Sequence, residues 1–284
     1  MLCVGSQDDL YPAADSEIRF SIRSGSGRKG ETTSRLSQRS SPRQEDPSKI
    51  IEDVVNERAM HTPILRQSVP IALSLAMTSL CLFGSSGRLH WSNAWVFLGI
   101  NFAAGIVSSI LFWRNPELLA ERRNTKAGKG WDKPLVCFVV LLGPVATWIT
   151  AGLDFRLHWS PGMGALAFIS GVVGAVFAIA LIAWAMHSNK FFSSVVRIQK
   201  DRGHVVVTGG PYRFVRHPGY TGICAFTLVT PLILNSRWAF VPATVTAAVT
   251  VLRTALEDRT LHNELDGYAE YARRVKYKLV PSIW

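Results

Sequence analysis

The chain has 284 residues, of which 48% are hydrophobic and 18% charged, with a formal net charge of +11. Soluble domains carry about 25% charged residues, and here the apolar residues gather into uncharged blocks, which excludes an ordinary soluble domain. The four cysteines, Cys3, Cys81, Cys137 and Cys224, show no paired spacing and exclude a secreted disulfide scaffold.

Residues 1–62 are polar, and 20–48 are rich in Ser, Arg, Gly and Thr, a composition that cannot bury enough surface to offset ordering entropy. A disordered tail is therefore expected, cytoplasmic by the charge pattern given below. No apolar core follows the start as in a signal peptide, and Asp8, Asp9, Asp15 and Glu17 argue against a transit peptide. Serines beside arginines in the run Ser34–Arg43 suit either a phosphorylation target or a plain tether. From Ser48, the pattern Ile50, Ile51, Val54, Val55 and Ala59 predicts a short amphipathic helix at the membrane surface.

The membrane domain is read as residues 63–284. Stretches 67–87, 89–113, 134–153, 157–189 and 217–236 contain no Asp, Glu, Lys or Arg, and each supplies the ~20 apolar residues of a bilayer-crossing helix. A sixth, 238–252, spans if Arg237 and Arg253 reach toward the two interfaces. In the fourth, the run Gly164–Gly171–Gly174–Ala178 suits close helix approach, or is ordinary membrane-helix glycine. The Lys and Arg residues fall along the chain in groups of 10, 1, 6, 1, 6, 1 and 6. That alternation is the positive-inside pattern of six helices with both termini cytoplasmic. An all-α integral membrane protein with five to six transmembrane helices, a cytoplasmic catalytic loop and a C-terminal helix is the expected fold.

Net charge does not signal nucleic acid. The tail through Arg66 holds 10 basic and 10 acidic residues, so the excess lies in the membrane domain, where topology and attraction to anionic lipid account for it. Membrane lipids are the expected partners, and nucleic acid is not.

Two segments are dense in polar and aromatic residues at membrane depth, where ionisable groups are costly and so point to function. In 196–222, Gly209–Gly210–Pro211 and Pro218–Gly219 are turn chemistry flanking Tyr212, Arg213, Arg216 and His217. His217 suits a general base, a hydrogen-bond partner of a ligand, or a plain interfacial histidine. No second His or Cys stands at metal-ligand spacing, so no metal is expected. In 253–284, Leu261, Leu265, Tyr268, Ala272 and Val275 form one apolar stripe on a helix continuing out of the sixth span and interrupted near Gly267. Arg253 and Glu257 are four apart and share a face, either as a surface ion pair or aimed together into a pocket between the last helices.

In these two segments GHVVVTGGPYRFVRHPGY (203–220) is followed by an acidic pair, Glu257 and Asp258, and then by GYAEYARRVKYKLVP (267–281). The combination resembles the isoprenylcysteine carboxyl methyltransferase family of integral-membrane enzymes and, more distantly, the phospholipid N-methyltransferases. The likeness runs from about Pro116 to Trp284. It implies S-adenosylmethionine as cofactor, contacted by His204, Val205, Val206, Val207, Tyr212, His217, Pro218, Gly219, Tyr220 and Glu257, with Gln199 a looser match. It implies Arg253 as the substrate-facing arginine, Arg253 and Glu257 as the catalytic pair, and a lipophilic or prenylated carboxylate as acceptor. Two positions depart from the family pattern: Asp258 stands where a second Glu is usual, and Lys278 where an Arg is usual. Competing expectations are a phospholipid amine methyltransferase, an NADPH-dependent sterol-type reductase with a similar aromatic tail, and a non-catalytic adaptor. The endoplasmic reticulum is the expected compartment.

Overall fold

The structure is a computed structural model that describes residues 68–123 and 128–284. The expected tail, its amphipathic helix and its serine–arginine run lie outside the described residues. Every regular element among the described residues is helical: α1 (Ser68–Ser86), α2 (Ser92–Arg114), α3 (Pro116–Arg123), α4 (Asp132–Leu157), α5 (Gly164–Ser188), α6 (Pro218–Leu234), α7 (Phe240–Glu264) and α8 (Tyr268–Arg274).

Five of these, α1, α2, α4, α5 and α7, are long and apolar enough to cross a bilayer. Their outer faces expose Leu80, Phe102, Leu166 and Phe177, as lipid contact requires. The protein is a multi-pass integral membrane protein. The last two spans exchange the lengths that the uncharged windows suggest. Pro218–Leu234 has only 17 residues, about 25 Å by helical rise, because Asn235 turns left-handed (φ 57°) and ends it. Phe240–Glu264 reaches 25 residues because the helix carries Arg253, Glu257 and Asp258 inside it rather than ending before them.

Helix α4 also outgrows its window, starting at Asp132 and ending at Leu157. Both added ends are acidic and buried, and each acid is satisfied by other elements. At the second end Asp154 accepts hydrogen bonds from the Ser160 amide (2.8 Å), the Ser160 hydroxyl (2.7 Å) and the Ser236 hydroxyl (2.5 Å). One carboxylate thus closes both the α4–α5 and the α6–α7 connections.

Helix α5 lies against α6 along the predicted small-residue run. A Cβ on Gly171 would stand 2.9 Å from the Ile233 amide nitrogen, and one on Gly222 the same distance from the Ala178 carbonyl oxygen. In lipid, where apolar contact between helices has no hydrophobic drive, such close backbone packing is what holds helices together. Helix α7 turns Thr246, Thr250 and Thr254 inward, each fully buried and each bonded back to the carbonyl four residues earlier. That satisfies the hydroxyls without a second helix. Between Phe138 and Leu142 α4 widens into a π-turn, a departure often found beside functional sites.

Asp132 and Asp154 are about 33 Å apart along α4, so the Asp154 clamp and the site described next occupy opposite ends. Replacing Asp154 with Ala leaves two serine hydroxyls and an amide without their acceptor. Thermal unfolding in detergent is expected to show a loss of about 1–3 kcal/mol, with ligand affinity at the Asp132 end unchanged.

Candidate active site

A cavity of about 410 Å³ lies among the α4 π-turn, the 189–207 connection, the start of α6, the end of α7, and α8. Cavities of this order hold small-molecule ligands. Its position follows from how the connecting segments are tied down. The stripe Leu261, Leu265, Tyr268, Ala272 and Val275 packs with Tyr271, Ile198 and Val206, which folds α8 back beneath the connection. Gly267, at φ 79°, makes the break that this return requires. The chain after α8 then pairs with the entry to α6, the Arg216 amide donating to Tyr277 (2.9 Å) and the His217 amide to Lys278 (2.9 Å). Pro218 follows as the first residue of α6, where its missing N–H costs nothing.

Arg253 and Glu257 both face the cavity and do not pair with each other. Arg253 is 5% exposed, and its Nε and Nη2 donate to the two carboxylate oxygens of Asp132 at 2.6 and 3.1 Å. Nη2 also donates to the Ser194 carbonyl at 3.0 Å, and the guanidinium stands 5.1 Å from the centre of the Tyr220 ring. Arg253 Nη1 has no hydrogen-bond partner among the described residues. Asp132 also accepts from the Val196 amide at 2.7 Å. The pair therefore holds α4, α7 and the connection at one point. Tyr220 donates its hydroxyl to Glu257 Oε2 at 2.5 Å, and Glu257 Oε1 has no hydrogen-bond partner among the described residues.

His204, Val205, Val206, Val207, Tyr212, His217, Gly219 and Tyr220 all line the same cavity. His204 Nδ1 accepts from the Gln199 amide at 3.3 Å, which leaves Nε2 as its donor. Burial first, and then Arg197 and Arg202 against the opposing Glu121, pushes the His204 imidazole below its ordinary value, so it is neutral at pH 7. Val205, Val206 and Val207 lie outside any regular element, and their main chain makes no hydrogen bond to described residues. Tyr212 is held by the Asn189 amide on its hydroxyl (3.2 Å) and by the Tyr271 hydroxyl on its carbonyl (2.7 Å), and burial raises its phenol well above the usual range.

Two expected residues stand apart from the cavity wall. Gln199 is fully buried within the connection, donating to the Phe191 carbonyl (2.7 Å) and accepting from Arg202 (2.7 Å). Both ends of its amide are thus spent on loop closure. Pro218 starts α6 behind Gly219 and Tyr220 and is not part of the lining.

Asp258 and Lys278, the two departures from the family pattern, are neighbours, with Nζ 3.8 Å from Oδ2. Asp258 Oδ1 also accepts the Tyr268 hydroxyl at 2.8 Å and stands 3.2 Å from both His217 Nε2 and Arg216 Nε.

Sequence reasoning leaves out two acids. Asp132 sits at the edge of an uncharged window and its partner is 121 residues away, beyond any spacing rule. Glu121, on α3, receives Arg197 Nε at 2.7 Å and Nη2 at 2.5 Å, plus the Ser193 hydroxyl at 3.3 Å. It anchors the connection from outside, and Arg202 adds a contact to Glu117 at 3.1 Å. Arg197 holds the Glu121 carboxyl below the usual range. Its stabilisation is therefore complete above the unfolded value, about 4.3, and is lost as pH falls through the lower folded value.

Two outcomes are expected from these anchors. Asp132→Ala strands a buried guanidinium and should lower stability by about 3–5 kcal/mol in thermal melts. Asp132→Asn keeps part of the hydrogen bonding and should lose less. As pH falls below about 4, limited proteolysis should show the 189–207 connection opening, and Glu121→Gln should open it already at pH 7.

Residues 170–263 match the Isoprenylcysteine carboxyl methyltransferase (ICMT) family. Over 202 residues the chain is 23% identical to the Protein-S-isoprenylcysteine O-methyltransferase of Xenopus laevis, covering 63% of this chain and 69% of that one. The human protein of the same name is 29% identical over 141 residues, 46% of this chain and 47% of its own length. A solved structure described as the eukaryotic intramembrane Ras methyltransferase ICMT is similar with a TM-score of 0.50 at 18% identity, covering 78% of this chain and 77% of that one. That likeness supports the fold. The family match contains His204–Val207, Tyr212, His217, Tyr220, Arg253 and Glu257 together.

Proposed function

We propose that the chain, which is similar to the isoprenylcysteine carboxyl methyltransferase family over residues 170–263, transfers a methyl group from S-adenosylmethionine to the carboxylate of a C-terminal prenylcysteine. The observation that carries this reading is the convergence of Arg253, Glu257 and the 204–207 main chain on one cavity. The lining suits the cofactor by its donor set. Tyr212 and Tyr220 offer aromatic surface, the free main chain of Val205–Val207 and His204 Nε2 offer hydrogen bonds, and Glu257 Oε1 offers an acceptor for cationic or hydroxyl groups.

S-adenosylmethionine supplies, when bound, a methyl group on a cationic sulfur that leaves without protonation. The protein's work is then to orient the acceptor and exclude water. A carboxylate acceptor is ionised at neutral pH, with an unperturbed pKa of about 3.5, so no side chain needs to act as a base. Arg253 is preset for the task. Asp132 fixes its plane through Nε and Nη2, and Nη1 remains to take the carboxylate oxygen. Glu257 is oriented by Tyr220, which also stacks on Arg253, so the two binding groups share one support.

The cavity wall includes Val140, 66% exposed on the outer face of α4, and Val205, 57% exposed on the connection. The exposed wall at Val140 suits a lipophilic acceptor arriving from the bilayer, and that at Val205 suits a polar nucleotide arriving from water. The alternation of basic clusters supports cytoplasmic termini, and an endoplasmic reticulum membrane is the compartment proposed with them.

The test is transfer of labelled methyl from S-adenosylmethionine to a farnesylcysteine analogue in membranes. Release of the label by mild base marks an ester and supports the reading. Base-stable label in phosphatidylethanolamine would replace it with amine methylation. Glu257→Gln should abolish cofactor binding while the protein still inserts and melts normally. Arg253→Lys keeps a charge beside Asp132 but loses the planar fork. Acceptor KM should rise about tenfold or more, with cofactor Kd unchanged.

A further inference from the structure

Arg216 is the cavity-lining cation whose charge the protein leaves incompletely matched. Its side chain is 9% exposed, and its Nε is buried without a hydrogen-bond partner among the described residues. The Nε stands 3.2 Å from Asp258 Oδ1, but that oxygen is already taken by the Tyr268 hydroxyl at 2.8 Å and faces His217 Nε2 at 3.2 Å. Neither Nη nitrogen of Arg216 has a hydrogen-bond partner among the described residues. Lys278 draws on the same carboxylate from its other oxygen, at 3.8 Å. Two permanent cations therefore share one anion, and the excess positive charge sits at the cavity wall.

The other guanidinium groups of the lining are neutralised. Arg253 holds both oxygens of Asp132, and Arg197 holds Glu121 and Asp201. Buried donors without acceptors are rare in folded proteins, and a ligand oxygen is one way in which they become satisfied. Across the same lining Glu257 presents the opposite imbalance, a carboxylate bonded at one oxygen only. A cavity with an unsatisfied guanidinium and an unsatisfied carboxylate suits a zwitterion.

We propose that Arg216 anchors the α-carboxylate at the amino-acid end of S-adenosylmethionine, with Glu257 facing the donor's cationic or hydroxyl groups. This rests on the methyl-donor reading above and adds a cofactor-binding residue to it. Arg216 precedes His217 and Pro218 at the entry to α6, and its main chain is fixed by the Tyr277 carbonyl at 2.9 Å. The C-terminal segment thus sets where the guanidinium stands.

The experiment is calorimetric titration of the detergent-purified full chain with S-adenosylhomocysteine and with its decarboxylated analogue. Wild-type protein is expected to bind the complete ligand about 10- to 100-fold more tightly, the range for a hydrogen-bonded charge pair. Arg216→Met should bring the two ligands to within about twofold of each other, and Arg216→Lys should retain part of the difference. Equal affinity for both ligands in the wild-type protein would overturn the assignment whether or not the variants fold. So would an Arg216→Met protein that weakens both ligands by the same factor, which marks a structural role, or one that preserves the wild-type ratio. No binding of S-adenosylhomocysteine by the wild-type protein would instead remove the methyl-donor reading itself.

Discussion

Burying an ion at bilayer depth is costly unless a partner of opposite charge is buried with it, and the Asp132–Arg253 pair meets that constraint for the whole site. Asp132 is fully buried at the first turn of α4 and Arg253 lies midway along α7. Their two-point contact, with Val196 and Ser194 attached through main-chain bonds, fixes two spans and the connection together. Without that match α7 would have reason to end near Leu252, and Glu257 would not be carried into the cavity on the same helix. The charge that makes the site chemically useful also determines where the helices sit.

The same logic repeats on a smaller scale around the cavity. Glu121 holds Arg197 from α3, and Asp258 gathers Tyr268, His217, Arg216 and Lys278 from three parts of the chain. Asp154 performs the equivalent task for the connections at the other end of α4. Apolar surface places the helices in the membrane, but the selection of one packing among many falls to these few acids. The close backbone contact of α5 with α6 at Gly171 and Gly222 does the rest.

What was legible in the sequence depended on how local the signal was. Uncharged windows and basic clusters are local, and they located the spans, apart from the lengths of α4, α6 and α7. The stripe from Leu261 to Val275 and its break at Gly267 are also local, and they appear as drawn. Of the residues assigned by resemblance, His204 to Val207, Tyr212, His217, Gly219, Tyr220, Arg253 and Glu257 gather on one cavity, whereas Gln199 and Pro218 serve the backbone around it. A buried amide in a loop is as well suited to closing that loop as to meeting a ligand, and its sequence position does not distinguish the two. Asp132 and Glu121 were hidden because their partners are 121 and 76 residues distant, and a lone acid beside a basic cluster reads as a loop charge. The replacement of Glu by Asp at 258 and the presence of Lys at 278 looked like separate departures until the fold brought the two side chains together.

We propose the cavity beneath the 189–207 connection as the site of an adenosyl methyl donor. Calorimetric titration of the purified protein with S-adenosylhomocysteine and, separately, with NADPH tests it most directly. Micromolar binding of S-adenosylhomocysteine and none of NADPH is expected. Binding of NADPH alone would contradict it in favour of a reductase, and binding of neither would leave the chain a membrane adaptor.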